Sequence, residues 1–282
     1  MISIKAHISN VALHHTIFDL PFAFMGAVIA AGGTPRLYDL FWIMLAITTG
    51  RAAALAIDNL ADLKFDRQQP RMKERAMVRG IISKREALIF IIICLALMIL
   101  SVAKLQPICL YLLPIAAFPF IIYPFTKRFT GWCHMVLGIA IAMAPAGGYV
   151  GVAGTVTYPM ILLCIAVALW ICAFDAMYGA QDEEFDKKMG LHSLAETYGG
   201  KNAFKLAKIM HILCIVCFFA LGCMLGLGYP YFIGVGIAGG VLVYQHQIVS
   251  PTDFSRVTQR YFMRNGIVSV AIFICTWLSY LA

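Results

Sequence analysis

The sequence is poor in charged residues: aspartate, glutamate, lysine and arginine together make up only 13% of its 282 residues. Soluble domains carry roughly 25%, because their surfaces must be hydrated. Hydrophobic residues make up 61% of the chain, and the mean hydropathy is +0.83. This scarcity of charge excludes an ordinary soluble domain and predicts a polytopic membrane protein in a lipid bilayer. The net charge of +8 is then typical of basic cytoplasmic loops, so we expect no nucleic-acid partner.

The chain also lacks the spaced cysteines of a disulfide framework or a zinc site. Its nine cysteines lie inside apolar segments or, for Cys133, at the start of one. Cys214 and Cys217 form a C-x-x-C pair, but within the apolar sequence HILCIVCFFALGC. Free cysteine behaves as a small hydrophobic residue. The pattern therefore indicates packing and not redox or metal chemistry.

Apolar segments of membrane-spanning length fill most of the chain. About nine are predicted, at residues 11–31, 38–59, 86–103, 107–124, 132–153, 158–178, 204–226, 228–246 and 262–281. Each has close to the ~20 residues that a helix needs to cross a bilayer, and all are too long for barrel strands. The sequence therefore predicts an all-α fold of about nine transmembrane helices, in a single domain over residues 1–282.

Lysine and arginine lie mostly on one side of the predicted spans. Nineteen of the 22 lie on that side, half of the 22 in two loops at about 60–85 and 179–203, and Arg51 is an exception inside the second span. Basic loops stay in the cytoplasm. We therefore expect these loops and the N-terminus to be cytoplasmic, with the C-terminus on the other side, in a bacterial inner membrane.

The few acidic residues are concentrated in two stretches. DNLADLKFDRQQPRMKER runs from Asp58 to Arg75, and DAMYGAQDEEFDKK runs from Asp175 to Lys188. Each begins where an even-numbered span reaches the cytoplasm, and each continues into basic residues. The two D-x-x-x-D patterns within them are 120 residues apart, as an internal duplication would leave them.

The spacing of these acids suggests a cation site. Asp58, Asp62 and Asp66 are four residues apart, so they share one helix face, where like charges repel. Carboxylates near hydrocarbon are costly, and Mg²⁺ binds one or two carboxylates together with substrate phosphates. Two facing acidic stretches would hold two ions with a diphosphate between them, and the nearby basic residues would bind its remaining oxygens. The alternative is two solvated helix ends, but the matched pair favours the metal–diphosphate site.

Both stretches resemble motifs of the UbiA superfamily of intramembrane prenyltransferases. The first is similar to the family's N-D-x-x-D-x-x-x-D motif, and the second to its D-x-x-x-D motif, at Asp182 and Asp186. The segments HHTIFDLPFAFMGA and YPFTKRF also resemble members of quinone pathways, so the resemblance covers nearly the whole chain. Three departures stand out. Asp58-Asn59 reverses the usual Asn-Asp order, Met72 replaces a threonine, and Asp19 lies where alanine is common.

The resemblance implies a helical bundle around a central cavity and a Mg²⁺-dependent enzyme. It would transfer a polyprenyl group from polyprenyl diphosphate to an aromatic acid in ubiquinone or menaquinone biosynthesis. We favour 4-hydroxybenzoate as the acceptor, followed by an aromatic acid of a menaquinone route. A cation-coupled transporter would place its acids near the bilayer midplane, and a CDP-alcohol phosphotransferase would have one compact motif, so both are less favoured.

The same resemblance implies a set of ligands. The metal ligands would be Asp58 or Asn59, Asp62, Asp66, Asp182 and Asp186. The diphosphate would be held by Arg71 and Arg75. Lys127 would either hold the diphosphate as well or serve only as a basic residue that sets the topology.

Four residues inside the spans have more open roles. Asp175 and Tyr178 would orient the acceptor or help to remove its ring proton. Arg51 needs an anionic partner, so it would either brace the aspartate stripe or bind the acceptor's carboxylate. Asp19 would either pair with a neighbouring helix or contact the acceptor.

Overall fold

Helices form all the regular structure in the part of the chain that the computed structural model describes, residues 16, 18–256 and 263–282. Outside the helices, these ranges contain one isolated bridge, between Ser250 and Asp253. The helices are α1 (Leu20–Ala31), α2 (Leu37–Ala61), α3 (Leu63–Asp66), α4 (Lys84–Val102), α5 (Ile108–Thr126), α6 (Cys133–Ala153), α7 (Tyr158–Gly179), α8 (Glu183–Met189), α9 (Leu194–Tyr198), α10 (Gly200–Leu225), α11 (Tyr229–Ile248) and α12 (Gly266–Leu281). The predicted all-α class is confirmed.

Six described helical segments are long and apolar enough to cross a membrane. They are α2, α4, α5, α6, α7 with its continuation to Met189, and α10. The described parts of α1 and α12 are apolar but only 12 and 16 residues long. The structure therefore supports a multi-pass membrane protein, while the count of about nine crossings remains a prediction. The first residues of the predicted span 11–31 lie outside the described residues.

Large apolar side chains cover the outside of the long helices. On α5, Tyr111, Ile115 and Phe118 are more than half exposed, and only Pro124 and Thr126 of this helix are buried. Such an apolar surface is unfavourable in water but favourable in contact with lipid chains. Helix α5 also contains prolines at positions 114, 119 and 124, each of which removes one backbone hydrogen bond.

Helix α7 lies at the centre of the bundle. Its Trp170 is fully buried, and its ring meets Phe22 of α1 edge-on at 5.2 Å between ring centroids. The indole Nε1 donates a hydrogen bond to Asn265 Oδ1 at 3.0 Å, which joins α7 to the residue before α12. These contacts fix the depth of α7 and so the level at which its acidic end leaves the bundle.

The segment between α2 and α4 is folded back onto the bundle. Leu63, Met77 and Ile82 of this segment form a small buried cluster with Ala87 of α4. At the end of the segment, Ser83 is the N-cap residue of α4. It exchanges reciprocal hydrogen bonds with Glu86, in the arrangement called a capping box. Packing and capping thus hold the first acidic stretch in place.

Helices α1 and α6 touch through their backbones. A Cβ atom at Gly148 would overlap the carbonyl group of Ala23, and one at Gly26 would overlap that of Pro145. Small residues at membrane helix interfaces allow this close approach. The contact fixes α1 against α6.

We expect Gly148→Ala to destabilise the protein by about 1–3 kcal/mol, because the added methyl group meets backbone that cannot move aside. Thermal unfolding of the detergent-solubilised protein measures the effect. Gly147→Ala is the matched control, since a Cβ there has no neighbour within 4 Å. Equal unfolding temperatures for the two variants would contradict the close contact.

Candidate active site

A polar pocket of about 180 Å³ lies where α2, α5 and α7 end, with α3, α8 and the start of α6 around it. Its walls include six aspartates, from both acidic stretches: Asp58, Asp62, Asp66, Asp175, Asp182 and Asp186. Tyr178, Arg75 and Lys127 also line it. The structure therefore brings together most of the residues that the sequence suggested.

The two acidic stretches have the same local form. Helix α2 ends at Ala61, and α3 begins again after Asp62, whose φ and ψ are −92° and 0°. Helix α7 ends at Gly179, and α8 begins after Asp182, whose φ and ψ are −99° and 7°. Both aspartates thus occupy the sparsely populated region between α and β, where many active-site residues lie. Each stretch therefore consists of the end of a long helix, then an interruption of one residue or a short turn, and then a short helix.

Hydrogen bonds join the two stretches to each other and to nearby arginine side chains. Gln69 Nε2 donates to Asp182 Oδ1 at 2.8 Å, which joins the loop after α3 to the second stretch. Arg75 Nη1 donates to Asp66 Oδ2 at 2.6 Å. Arg128 Nη2 donates to the carbonyl of Ala61 at 3.1 Å and lies 3.9 Å from Asp62 Oδ1.

The electrostatics of the pocket show how closely its charges interact. Burial, together with the negative charges of Asp58 and Asp66, raises the pKa of Asp62 to about 7. Burial is the largest single effect on Lys127 and lowers its pKa, but the surrounding negative groups, Asp186 first among them, together outweigh burial and raise the pKa. In the same way, burial lowers the pKa of Arg75, but Asp66, Asp58 and Asp62 together outweigh burial and raise it. The carboxylates therefore repel one another, and the two basic residues only partly balance them.

His134 and Tyr123 line the same pocket, and the sequence reasoning missed both as site residues. His134 Nδ1 lies 2.7 Å from Asp175 Oδ2, and the ring is almost completely buried. Its Nε2 is buried and has no hydrogen-bond partner in the part of the chain that the structure describes. Tyr123 is one helical turn before Lys127, in the YPFTKRF segment, so that segment held a signal for it. His134 follows Cys133 in an apolar segment and had no comparable signal.

Three of the suggested residues lie elsewhere or are less defined. Asn59 is buried but is not among the described residues that line the polar pocket, so Asp58 is the better candidate of the two. Arg71 lies in the 3₁₀ turn Pro70–Met72, and its side chain is outside what the structure describes. Arg51 pairs with Asp19, and both line a second cavity.

This second cavity is apolar and has a volume of about 670 Å³. Residues of α2, α4, α5, α6 and α7 form its walls. It adjoins the polar pocket along two helices. Ile57 and Phe120 line the apolar cavity, while Asp58 and Tyr123 line the polar pocket.

The polar pocket suits a divalent cation that a substrate helps to bind. Among the described residues, no three His, Cys, Asp or Glu side chains converge closely enough to hold an ion alone. Mg²⁺ needs only one or two carboxylates when phosphate oxygens and water complete its shell. Asp186 Oδ2 is buried and has no hydrogen-bond partner among the described residues, and a cation would satisfy it.

Comparison with known proteins gives relatives over nearly the whole chain. The 4-hydroxybenzoate octaprenyltransferase of Cupriavidus necator is 32% identical over 257 residues, which cover 89% of this chain and 88% of that protein. The protein of the same name from Nitrosospira multiformis is 30% identical over 256 residues, 91% of this chain and 88% of the relative.

Solved structures share the fold. A UbiA homolog from Aeropyrum pernix, in its apo form, superposes with a TM-score of 0.85 at 30% identity, over 93% of this chain and 97% of that one. A UbiA homolog from Archaeoglobus fulgidus, bound to GPP and Mg²⁺, has a TM-score of 0.71 at 19% identity, over 98% of this chain and 100% of that one.

The sequence model of the UbiA prenyltransferase family matches residues 20–267. This match includes both acidic stretches, the polar pocket between them and, except for Asp19, the lining of the apolar cavity beside it. Both D-x-x-x-D patterns line one pocket, and the match covers most of the chain. The chain therefore belongs to the UbiA prenyltransferase family.

Proposed function

We propose that the protein transfers a polyprenyl group from polyprenyl diphosphate to an aromatic acid, with 4-hydroxybenzoate as the first candidate acceptor. The observation that carries the proposal is the polar pocket, in which two acidic stretches and two basic residues meet beside a large apolar cavity. A prenyl diphosphate has the matching halves, a charged diphosphate and a long apolar chain. The names of the relatives and the GPP and Mg²⁺ in the Archaeoglobus fulgidus homolog support this substrate class.

The diphosphate would lie between the two acidic stretches. Asp58, Asp62 and Asp66 on one side, and Asp182 and Asp186 on the other, would hold Mg²⁺. When bound, Mg²⁺ would supply positive charge that stabilises the diphosphate as the allylic C–O bond breaks. Lys127 and Arg75 would donate hydrogen bonds to the remaining oxygens, and Arg71 would add a further contact.

The acceptor ring would lie between the polar pocket and the apolar cavity. Its ring carbon attacks the allylic cation, and the ring then loses a proton. Asp175 is suited to accept that proton, because its carboxylate lines the pocket and His134 holds it at 2.7 Å. Tyr178, on the same helix, would help to position the ring. The apolar walls would keep water away from the cation.

Replacement of the central aspartates tests the metal site. We expect Asp62→Ala and Asp182→Ala each to lower prenyl transfer by about 100-fold or more, because each removes a cation ligand. EDTA should abolish the wild-type activity, and added Mg²⁺ should restore it. Glu184→Ala is the matched control, since Glu184 belongs to the second stretch but is exposed. Near-normal transfer by both aspartate variants would refute the site.

Replacement of Arg75 shows which of the two substrates this residue binds. We expect Arg75→Ala to raise the KM for polyprenyl diphosphate by about 10–100-fold, the equivalent of a charged hydrogen bond of about 1.5–3 kcal/mol. The KM for the aromatic acid should change little. Arg79→Ala serves as the control, because Arg79 is exposed and pairs only loosely, at 3.4 Å, with Glu74. A rise confined to the acceptor KM would reverse the assignment of Arg75.

We further propose that the pocket faces the cytoplasm, in a bacterial inner membrane with the N-terminus inside. The basic residues around loops 60–85 and 179–203 support this orientation. A phosphatase that matures only outside the cytoplasm should be active when fused after Ala282 and inactive when inserted after Lys73. The reverse pattern would overturn the orientation, and inactivity at both positions would mean an even number of crossings.

A further inference from the structure

The segment that follows α3 forms one wall of the polar pocket. Asp66, Gln69, Met72 and Arg75 are spaced three residues apart in it, and all four line the pocket. The backbone accounts for this spacing, because the N–H groups of Gln69, Met72 and Arg75 each donate a hydrogen bond to the carbonyl group three residues earlier, at 3.0–3.3 Å. In consecutive turns of this kind the side chains at i and i+3 lie above one another. Residues 66–75, which we call the strap, therefore present one face to the pocket.

Two neighbouring glutamines of the strap have different partners. Gln69 is partly buried, and its Nε2 donates a hydrogen bond to Asp182 Oδ1 at 2.8 Å, 113 residues away in the sequence. Gln68 is exposed, donates at 3.2 Å to the carbonyl group of Lys64, and is not among the described residues that line the pocket. Gln69 thus connects the strap to the second acidic stretch, whereas Gln68 bonds only within its own turn of the chain.

The strap offers two chemically different donors to the pocket carboxylates. The guanidinium group of Arg75 donates to Asp66 at 2.6 Å, which orients that carboxylate and also offsets its negative charge. The amide of Gln69 carries no charge, so it orients Asp182 without offsetting its charge. A cation ligand needs that charge, and carboxylates that bind metals are themselves held by hydrogen bonds from neighbouring residues. The contact with Gln69 therefore suits Asp182 for cation binding.

We propose that Gln69 is a positioning residue of the cation site and that it acts by orienting Asp182. The inference rests on the proposed metal-dependent prenyl transfer and adds to it a residue that lies outside both D-x-x-x-D patterns. Since the strap begins at Asp66, the last aspartate of the first stretch, the hydrogen bond from Gln69 also fixes the two stretches relative to each other. The cation affinity of the pocket then depends on an amide that does not itself contact the ion.

Binding of inorganic pyrophosphate tests the inference without turnover. Equilibrium dialysis of the purified protein with radiolabelled pyrophosphate, at a series of free Mg²⁺ concentrations, gives the Mg²⁺ concentration at half-maximal binding. We expect Gln69→Met to raise this midpoint about 10–100-fold, the usual effect of losing a hydrogen bond to a metal ligand. Methionine keeps the length of the side chain but has no N–H group. Gln69→Ala, which adds no bulk to the strap, should give the same rise.

Two further variants show through which residue Gln69 acts. Gln68→Met is the matched control, and its midpoint should equal that of the wild type. Asp182→Asn lacks the charge that Gln69 orients, so the addition of Gln69→Met to Asp182→Asn should weaken the remaining binding by no more than about twofold. Two independent contributions would instead add in full.

The opposing results are distinct. If the wild type binds pyrophosphate with Mg²⁺ and both Gln69 variants have the wild-type midpoint or a lower one, the inference is wrong while the proposed site stands. A full loss on adding Gln69→Met to Asp182→Asn would also refute it, because Gln69 would then act through another group. If the wild type binds no pyrophosphate at any Mg²⁺ concentration, the proposed function fails and the inference fails with it.

Discussion

Six aspartate side chains share one small pocket, at the edge of a bundle whose helices contain few other acids. Their mutual repulsion is the constraint around which the neighbouring structure is arranged. Arg75 pairs with Asp66, Gln69 donates to Asp182, and His134 contacts Asp175. These contacts satisfy single oxygens but do not neutralise the whole group. A site that stays negative in this way attracts cations and the polyanions that bind with them.

The repeated local form of the two stretches explains how one pocket can hold so many carboxylates. In each stretch the long helix stops and a short helix resumes after a residue in the same unusual backbone conformation, at Asp62 and at Asp182. Each interruption turns the chain while the D-x-x-x-D spacing is kept. The carboxylates of each stretch therefore stay on one side, and the two sides face each other across the pocket.

The sequence predicted those features of the structure that depend on residues close to one another in the chain. Hydropathy predicted the helices, and the four-residue spacing predicted that Asp58, Asp62 and Asp66 would face one way. Apart from the two matched acidic stretches, contacts between distant segments left no such trace. His134 had no pattern that pointed to Asp175, 41 residues away. The sequence likewise left two partners open for Arg51, because the choice of Asp19 depends on how α1 packs against α2.

The two sides of the apolar cavity differ mechanically. On one side, α6 forms part of the wall and is held from behind by α1 through backbone contacts, without side chains that could change rotamer, so that side is stiff. Helix α5 has three prolines, little buried surface and several residues on the cavity wall. Its prolines remove some of the backbone hydrogen bonds that would resist bending. An apolar chain of variable length in the cavity would therefore displace α5 before the other helices of the wall. The volume of the cavity thus depends on how far α5 can bend away from α6.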